Sequence, residues 1–235
     1  MPDPIPPVIG PEEAWRRVAD VDGWLTHEQA AALHAAARRV APGPVLEIGS
    51  HQGRSTIVLA CAGVEVVAID PLRPDWRYGS TDTERVLRAN LRRAGVAEVV
   101  DVRVATSREV RSGWARPIRM LYVDGKHDVR SCLDDLRWSR FLQPGDPLLV
   151  HDAFSSVGVT LALLVDAATT GRHRYVRRTG SLAELVLARP TFRDRARVLG
   201  ELPWFARNLV VKVLLRLRAR PLARALGHHD TADPY

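Results

Sequence analysis

Four side chains capable of acid–base or metal chemistry stand in two short groups, Asp124 with His127 and His151 with Asp152. Each group follows directly on a short apolar run, RMLYVD in the first case and PLLVHD in the second. Such runs are typical of buried parallel strands, and neighbouring parallel strands lie about 4.8 Å apart. We therefore expect the four side chains to converge where two adjacent strands end.

A second group of residues marks a turn that could hold a ligand. The run PVLEIG ends in Glu47 and Gly49, and Gly53 completes an E-x-G-x-x-x-G pattern before a helix-like stretch. Glycines at such a turn let the backbone approach a ligand closely. Asp70 ends the next apolar run, 21 positions after Gly49 (70 minus 49), where an acid can accept hydrogen bonds from ribose hydroxyls. A plain tight turn followed by a capping aspartate is the structural alternative.

The elements that position these residues alternate between strand and helix. The predicted strands are residues 44–49, 64–70, 99–104, 119–124 and 147–152, with a final antiparallel pair at 174–179 and 182–189. This order predicts an α/β, Rossmann-like, doubly wound sheet of seven strands, mostly parallel with a C-terminal antiparallel strand and helices on both faces. Ligands of such sheets bind at the carboxyl ends of the strands.

The chain divides into three regions. Residues 1–40 form an N-terminal arm and helices, residues 41–190 form the α/β domain, and residues 191–235 form a basic amphipathic helical extension with a polar tail. The N-terminus has no basic, then apolar, leader pattern, and we expect a cytoplasmic protein. Cys61 and Cys132 fall in apolar stretches and are expected to be buried thiols.

The glycine turn favours a cationic cofactor over a dinucleotide. A dinucleotide fingerprint is G-x-G-x-x-G, and here His51 occupies a position where a glycine is expected. Glu47 would repel a diphosphate. S-adenosylmethionine is a cationic cofactor without phosphates, and the same residues carry a resemblance to proteins that use it.

The sequence resembles class I S-adenosylmethionine-dependent methyltransferases, and more narrowly their family-24 group, which includes macrocin-type sugar O-methyltransferases. The matching segments are VDGWLTHEQAAALHAAA, VLEIGSHQGRSTIVLA, VVAID, YVDGKHDVRSCLDDLRWSRFLQPGDPLLVHDA and GSLAELVL, which together span residues 21–188. The combination DG-x-H, L-x-PG and HD is more specific than the glycine turn alone.

The resemblance implies a role for each matching residue on the cofactor side. Gly49, Ser50 and Gly53 would line the methionine part, and Asp70 would hold the ribose. Thr106 and Ser107 stand where the adenine is usually contacted. The remaining residues of the predicted cofactor site are Glu47, Ser55 and Asp124.

On the acceptor side, the resemblance implies Asp124 and Asp152 as ligands of a divalent metal, magnesium in the relatives, and His127 as the base. His151 departs from the pattern, because the metal-dependent relatives carry a carboxylate there. Magnesium prefers oxygen ligands, whereas imidazole suits zinc, iron or manganese. His151 is therefore a candidate metal ligand or a second catalytic base, and a metal-free site stays open.

The function that the resemblance implies is methyl transfer to a hydroxyl of a sugar, oligosaccharide or glycosylated metabolite. A catechol-type methyltransferase of small phenols is the alternative enzyme. A non-catalytic protein that binds the cofactor or a partner on this fold is the alternative outside catalysis. Trp24, Trp76 and Tyr78 either shape the acceptor pocket or serve ordinary packing.

The net charge of +7 rests almost wholly on arginine. Low lysine use suggests a coding bias, so this charge is weak evidence for nucleic acid, and we expect no nucleic-acid partner. Residues 202–227 combine basic side chains with apolar residues at helical spacing: Leu202, Phe205, Leu209, Val213 and Leu217. Basic amphipathic helices bind membrane surfaces or partners. We consider four roles for this segment: packing against the domain, a homodimer contact, peripheral membrane contact and a lid over the substrate.

Overall fold

The computed structural model describes residues 8–76 and 79–228, and within them seven strands alternate with ten helices. The strands are β1 Val45–Ile48, β2 Val66–Ile69, β3 Val100–Arg103, β4 Met120–Val123, β5 Pro147–Val150, β6 His173–Thr179 and β7 Leu182–Leu187. The helices are α1 Pro11–Arg17, α2 His27–Arg38, α3 Arg54–Cys61, α4 Thr83–Arg93, α5 Ser107–Ser112, α6 Val129–Leu136, α7 Val157–Thr169, α8 Phe192–Gly200, α9 Leu202–Arg216 and α10 Arg220–Ala225. Short 3₁₀ turns precede β3 and follow α6.

All seven strands belong to one sheet, with the order β3-β2-β1-β4-β5-β7-β6. Strands β1 to β5 pair in parallel, and β7 is antiparallel to both of its neighbours. The predicted fold class is confirmed, including the antiparallel C-terminal strand. The strand order reverses between β1 and β4, and the carboxyl ends of these two strands form the edge where such sheets bind ligands.

Two apolar cores lie on the two faces of the sheet. Alternate residues of each strand point to opposite faces, so Val45 joins the core beneath α1 to α4, whereas Leu46 joins the core beneath α6 and α7. Helices α1 and α2 contribute buried residues to the first core together with α3. Cys61 and Cys132 are buried free thiols, one in each core, as predicted.

The C-terminal segment differs from the single helix predicted over 202–227. Helix α9 ends at Arg216, and the backbone then turns through Arg218, whose φ of +59° lies in the left-handed region. Helix α10 follows and returns along α9, because Nε of Arg207 donates to the carbonyl of Leu226 at 2.8 Å. The extension is therefore three short helices, and residues 229–235 of the predicted polar tail lie outside the described residues. The boundaries drawn at residues 40/41 and 190/191 stay predictions.

Candidate active site at the carboxyl edge of the sheet

The turns after β4 and β5 bring the four predicted side chains together. Nε2 of His127 lies 3.2 Å from Oδ2 of Asp152 and 3.7 Å from Oδ1 of Asp124. Nδ1 of His151 lies 3.3 Å from Oδ1 of Asp124 and 3.8 Å from Oδ2 of Asp152. Two imidazoles thus flank two carboxylates, and we call this group the carboxylate–histidine cluster. The convergence follows from the β4–β5 register, which pairs Val123 with Val150.

Three members of the cluster form a donor set that could hold a metal ion. One ligand atom from each of Asp124, His151 and Asp152 lies within 4.8 Å of the other two. Asp152 adopts a left-handed backbone with φ of +54°, and its Oδ1 accepts a hydrogen bond from the Ser155 hydroxyl at 3.0 Å. The hydroxyl of Tyr122 donates to Oδ2 of Asp124 at 3.2 Å. Both carboxylates are thus oriented before any ligand arrives.

Gln29 on α2 fixes the orientation of His151 and, like Tyr122 and Ser155, was not predicted from the sequence as a site residue. Oε1 of Gln29 accepts a hydrogen bond from the backbone N–H of Thr26 at 3.0 Å in a capping box, which identifies this atom as the amide oxygen. The same oxygen lies 3.2 Å from Nε2 of His151. Nε2 of Gln29 donates to the Ser181 hydroxyl at 3.0 Å. Nε2 of His151 therefore carries a proton, and Nδ1 is the nitrogen aimed at the carboxylates.

The carboxylates determine the protonation of His151. Burial alone would lower its pKa, but the negative charge of Asp124 and hydrogen bonds to both carboxylates outweigh it and raise the pKa well above the ordinary value. Burial likewise opposes ionisation of Asp124 and Asp152, yet His151 holds the pKa of both carboxyls below the ordinary range. Nδ1 of His151 can therefore act in two ways. When protonated it donates a proton to the carboxylates in a hydrogen bond, and when deprotonated it can bind a metal ion together with them.

His127 is the accessible member of the cluster. Its side chain is 46% exposed, whereas that of His151 is only 4% exposed. Burial by its neighbours would lower the pKa of His127, but Asp124 and Asp152 outweigh it and raise the pKa. A half-exposed imidazole held by a carboxylate has the geometry of a general base that can reach a bound substrate.

The glycine turn packs directly against this cluster. Gly49 has φ of +92°, and a Cβ there would lie 2.1 Å from the backbone carbonyl oxygen of Asp124. Gly53 begins α3 with φ of +92°, and a Cβ there would lie 2.7 Å from the Leu87 side chain. Gly49 thus requires glycine for close packing as well as for backbone conformation, and Gly53 requires it for backbone conformation. The turn and the carboxylate–histidine cluster form one continuous site.

Ser50 and Asp70 offer polar groups toward a ligand in the turn. Oγ of Ser50 is buried and has no hydrogen-bond partner within residues 8–76 and 79–228, which is typical of a group that awaits a ligand or a water. Oδ2 of Asp70 accepts the backbone N–H of His51 at 2.8 Å, and Oδ1 accepts that of Leu72 at 2.8 Å. Asp70 therefore ties together the turns after β1 and β2, and each oxygen keeps acceptor capacity for a ribose hydroxyl.

Glu47 and Ser55 lie behind the turn. The Glu47 carboxylate is fully buried and accepts hydrogen bonds from the hydroxyls of Ser55 and Thr56. Burial raises the pKa of Glu47 to about 8, although the two hydroxyls oppose the shift. These contacts anchor the start of α3 to β1, so a contact of Glu47 or Ser55 with the cofactor stays a prediction.

Replacing Glu47 by glutamine is expected to change the pH dependence of stability. The ordinary carboxyl pKa of 4.5 applies to the unfolded chain, whereas the folded chain keeps the Glu47 proton up to about pH 8. Between these two pKa values Glu47 loses its proton only when the chain unfolds, so the free energy of unfolding of the wild type falls as pH rises. Glutamine cannot ionise, so the variant lacks this loss. Relative to wild type, Glu47→Gln should gain about 1 kcal/mol or more between pH 5 and pH 8. Urea unfolding at both values measures this, and an equal difference at the two pH values would contradict it.

Thr106 and Ser107 stand at the start of α5, after β3. Thr106 caps that helix in a reciprocal capping box with Glu109. Oγ of Ser107 accepts the indole N–H of Trp138 at 2.9 Å and is nearly buried. Both side chains thus have structural partners, and their contact with an adenine stays a prediction.

Three rings lie together at the turn. His51 is 5.7 Å from Trp24 and 5.6 Å from Trp76, measured between ring centroids, and the two indoles are 6.3 Å apart. Trp24 is 39% exposed and Trp76 is 50% exposed. The structure thus brings together two of the three aromatic residues predicted near the acceptor, and Tyr78 lies outside the described residues. We call Trp24, His51 and Trp76 the aromatic platform.

Comparisons with known proteins agree with this fold. Residues 46–153 match the profile of methyltransferase family 24, described as a methyltransferase domain. An O-methyltransferase from Bacillus cereus, solved with S-adenosylhomocysteine (SAH), is 19% identical with a TM-score of 0.58, over 76% of this chain and 90% of that one. Cofactor-bound Rv0187 from MTB is 22% identical with a TM-score of 0.58, over 77% and 89%. TomG from Streptomyces achromogenes, an O-methyltransferase involved in tomaymycin synthesis and solved with S-adenosylmethionine (SAM), is 19% identical with a TM-score of 0.57, over 78% and 92%.

Proposed function

We propose that the protein is an S-adenosylmethionine-dependent O-methyltransferase of carbohydrate hydroxyls, since residues 46–153 match the family model of a methyltransferase domain. The acceptor is a sugar, an oligosaccharide or a glycosylated metabolite. The observation that carries the proposal is the contact between the glycine turn and the carboxylate–histidine cluster. A methyl donor held at Gly49 would lie beside the base and the carboxylates.

The residues of this chain divide the work between donor and acceptor. S-adenosylmethionine supplies a methyl group on a positively charged sulfur. Asp70 binds the ribose, and Ser50 offers its buried hydroxyl to the methionine part. Nε2 of His127 takes the proton of the acceptor hydroxyl as the oxygen attacks, and Asp152, 3.2 Å away, stabilises the resulting imidazolium.

A divalent ion fits the same cluster. Asp124, Asp152 and Nδ1 of His151 would hold it, and it would polarise the acceptor hydroxyl. Two carboxylates with one imidazole suit manganese, iron or zinc better than magnesium, which prefers an all-oxygen shell. The bond from His151 to Gln29 supports this assignment, because it leaves Nδ1 as the nitrogen that can coordinate.

The aromatic platform supports a carbohydrate acceptor. Exposed indole rings present flat apolar faces beside polar groups, which suits a sugar that has both C–H faces and hydroxyls. A small phenol is instead bound in sites that bury most of its surface. The half-exposed Trp24 and Trp76 form an open surface that can admit a large polar acceptor. Catechol methylation remains the second candidate, because Asp124 and Asp152 could hold a metal ion that the two oxygens of a catechol chelate.

Transfer of labelled methyl from S-adenosylmethionine to a panel of acceptors tests the proposal. Purified protein is offered simple glycosides, a fractionated polysaccharide extract and catechol, each with and without EDTA. We expect label in a carbohydrate fraction, with loss of transfer in EDTA and recovery on adding Mn²⁺. Label in catechol alone would favour the small-phenol enzyme, and cofactor binding without transfer to any acceptor would favour the non-catalytic reading. Methyl transfer that persists in EDTA would contradict a role for the metal and would leave His127 as the catalytic base.

A further inference from the structure

Helix α9 directs polar side chains toward the domain. Nδ2 of Asn208 donates to the carbonyl of Phe154 at 3.0 Å, and Nζ of Lys212 donates to the carbonyl of Ser155 at 2.6 Å. Asn208 is fully buried. These bonds fasten α9 to the segment that directly follows Asp152 of the candidate active site. Polar side chains of the helix therefore bond to the domain, whereas a surface helix usually presents its polar side chains to solvent.

The outward face of α9 is apolar. Five exposed residues recur at intervals of three and four along the helix and its last turn: Pro203, Ala206, Val210, Val213 and Leu217. Val210 is 49% exposed, Val213 is 54% exposed and Leu217 is 71% exposed. The predicted stripe through Leu202, Phe205 and Leu209 is half-buried instead, and Phe205 packs against the core of the domain. We call the five exposed residues the outer stripe.

Positive charge lies at the C-terminal end of the outer stripe. Residues 191–235 contain nine basic and four acidic side chains, a formal charge of +5 out of the +7 of the whole chain. Residues 202–228 contain no acidic residue at all. Exposed arginines follow the stripe at positions 216, 218, 220 and 224, and α10 adds two exposed leucines, Leu222 and Leu226. Exposed apolar side chains and exposed arginines thus occur together in α9, α10 and the turn between them.

We propose that α9 and α10 dock on an anionic lipid surface. Apolar residues beside a row of arginines are the pattern of helices that lie in the headgroup region of a membrane. A second copy of this chain fits less well, because a symmetric contact would place one basic segment against another, and residues 202–228 offer no carboxylate. Among the described residues no helix has the length and apolarity of a membrane span. This inference does not rest on the proposed methyl transfer.

Sedimentation of the full chain with lipid vesicles tests the proposal. We expect binding to vesicles that contain phosphatidylserine, about tenfold or more weaker binding to phosphatidylcholine alone, and loss of binding as salt rises. The double substitution Val210→Asp with Val213→Asp should abolish binding. Val165→Asp is the matched control, since Val165 is 41% exposed on α7, outside the outer stripe.

A charge reversal separates the electrostatic part. Arg216→Glu with Arg220→Glu should weaken binding to phosphatidylserine vesicles about tenfold or more, whereas Arg92→Glu with Arg93→Glu, an exposed pair on α4, should leave it nearly unchanged. An equal loss of vesicle binding in both double variants would mean that binding depends only on net charge, and it would overturn the assignment to this surface. A different result would overturn the proposal in favour of a second copy of this chain. In that case wild-type protein would bind neither vesicle type and would form a dimer by light scattering, and the valine substitutions would dissociate that dimer.

Discussion

Replacing His127 by alanine is expected to lower the rate of methyl transfer about 100-fold to 10,000-fold, the range typical of a lost general base, while cofactor affinity stays near wild type. The imidazole contacts Asp152 and Asp124 and is the exposed member of the cluster. It is thus placed to act on the acceptor without forming part of the turn that holds the cofactor. Turnover with a fixed acceptor and titration of S-adenosylmethionine binding measure the two effects separately.

A matched control for this substitution is His27→Ala. The His27 side chain is 43% exposed and also lies 3.2 Å from a carboxylate, that of Glu12, but it stands at the start of α2 outside the cluster. The control should retain full activity. A fully active His127→Ala protein would contradict the assignment and leave His151 or a metal-bound hydroxide as the base. Equal loss of cofactor binding and turnover would instead give His127 a structural role.

Replacing Asp70 by alanine is expected to weaken S-adenosylmethionine binding more than tenfold. Two effects add in this variant, because the ribose loses its acceptor and the backbone amides of His51 and Leu72 lose theirs. Isothermal titration with the cofactor measures the change. Unchanged binding would remove Asp70 from the cofactor site.

Two further variants separate the ribose contact from the support of the turns. Asp101→Ala removes an exposed carboxylate from β3 that pairs with Arg103, and it should leave cofactor binding unchanged. Asp70→Asn keeps one acceptor oxygen and an isosteric side chain. If Asp70→Asn melts like wild type but still binds the cofactor more than tenfold weaker, the lost contact is with the ligand rather than within the turns.

The sequence was sufficient to predict the sheet and the convergence of the cluster. Five apolar runs bounded by turn residues identify β1 to β5, and polar residues at the ends of parallel strands must share one edge of the sheet. Asp124 and His151 could therefore be placed together although 27 positions (151 minus 124) separate them. The short spacing D-x-x-H then places His127 beside the same carboxylates.

Contacts between distant segments could not be predicted in this way. Gln29 lies 122 positions from His151, and its sequence context, a threonine cap before an alanine-rich helix, signals only a helix start. Likewise, Ser107 was placed from its position after β3, and the indole that bonds to it belongs to Trp138 in a later turn. Such partners depend on how helices pack over the sheet, and hydrophobic periodicity does not encode that packing residue by residue.

The C-terminal segment shows a different limit. Its apolar residues satisfy several helical stripes, and periodicity alone selected Leu202, Phe205 and Leu209 with Val213 and Leu217. The bonds from Asn208 and Lys212 to the segment after β5 rotate the helix so that Val210 and Val213 face outward instead. Two polar anchors, together with the burial of Val211 and the packing of Phe205, thus set which face of α9 is exposed.

The most direct test of the central claim is a crystal structure of the protein with S-adenosylhomocysteine. We expect ribose hydroxyls within hydrogen-bond distance of Asp70, a polar contact to Ser50, and the sulfur on the side of the turn that faces His127 and the carboxylates. A ligand bound elsewhere, or bound in the turn with its sulfur directed away from the carboxylate–histidine cluster, would contradict a single site for cofactor and acceptor.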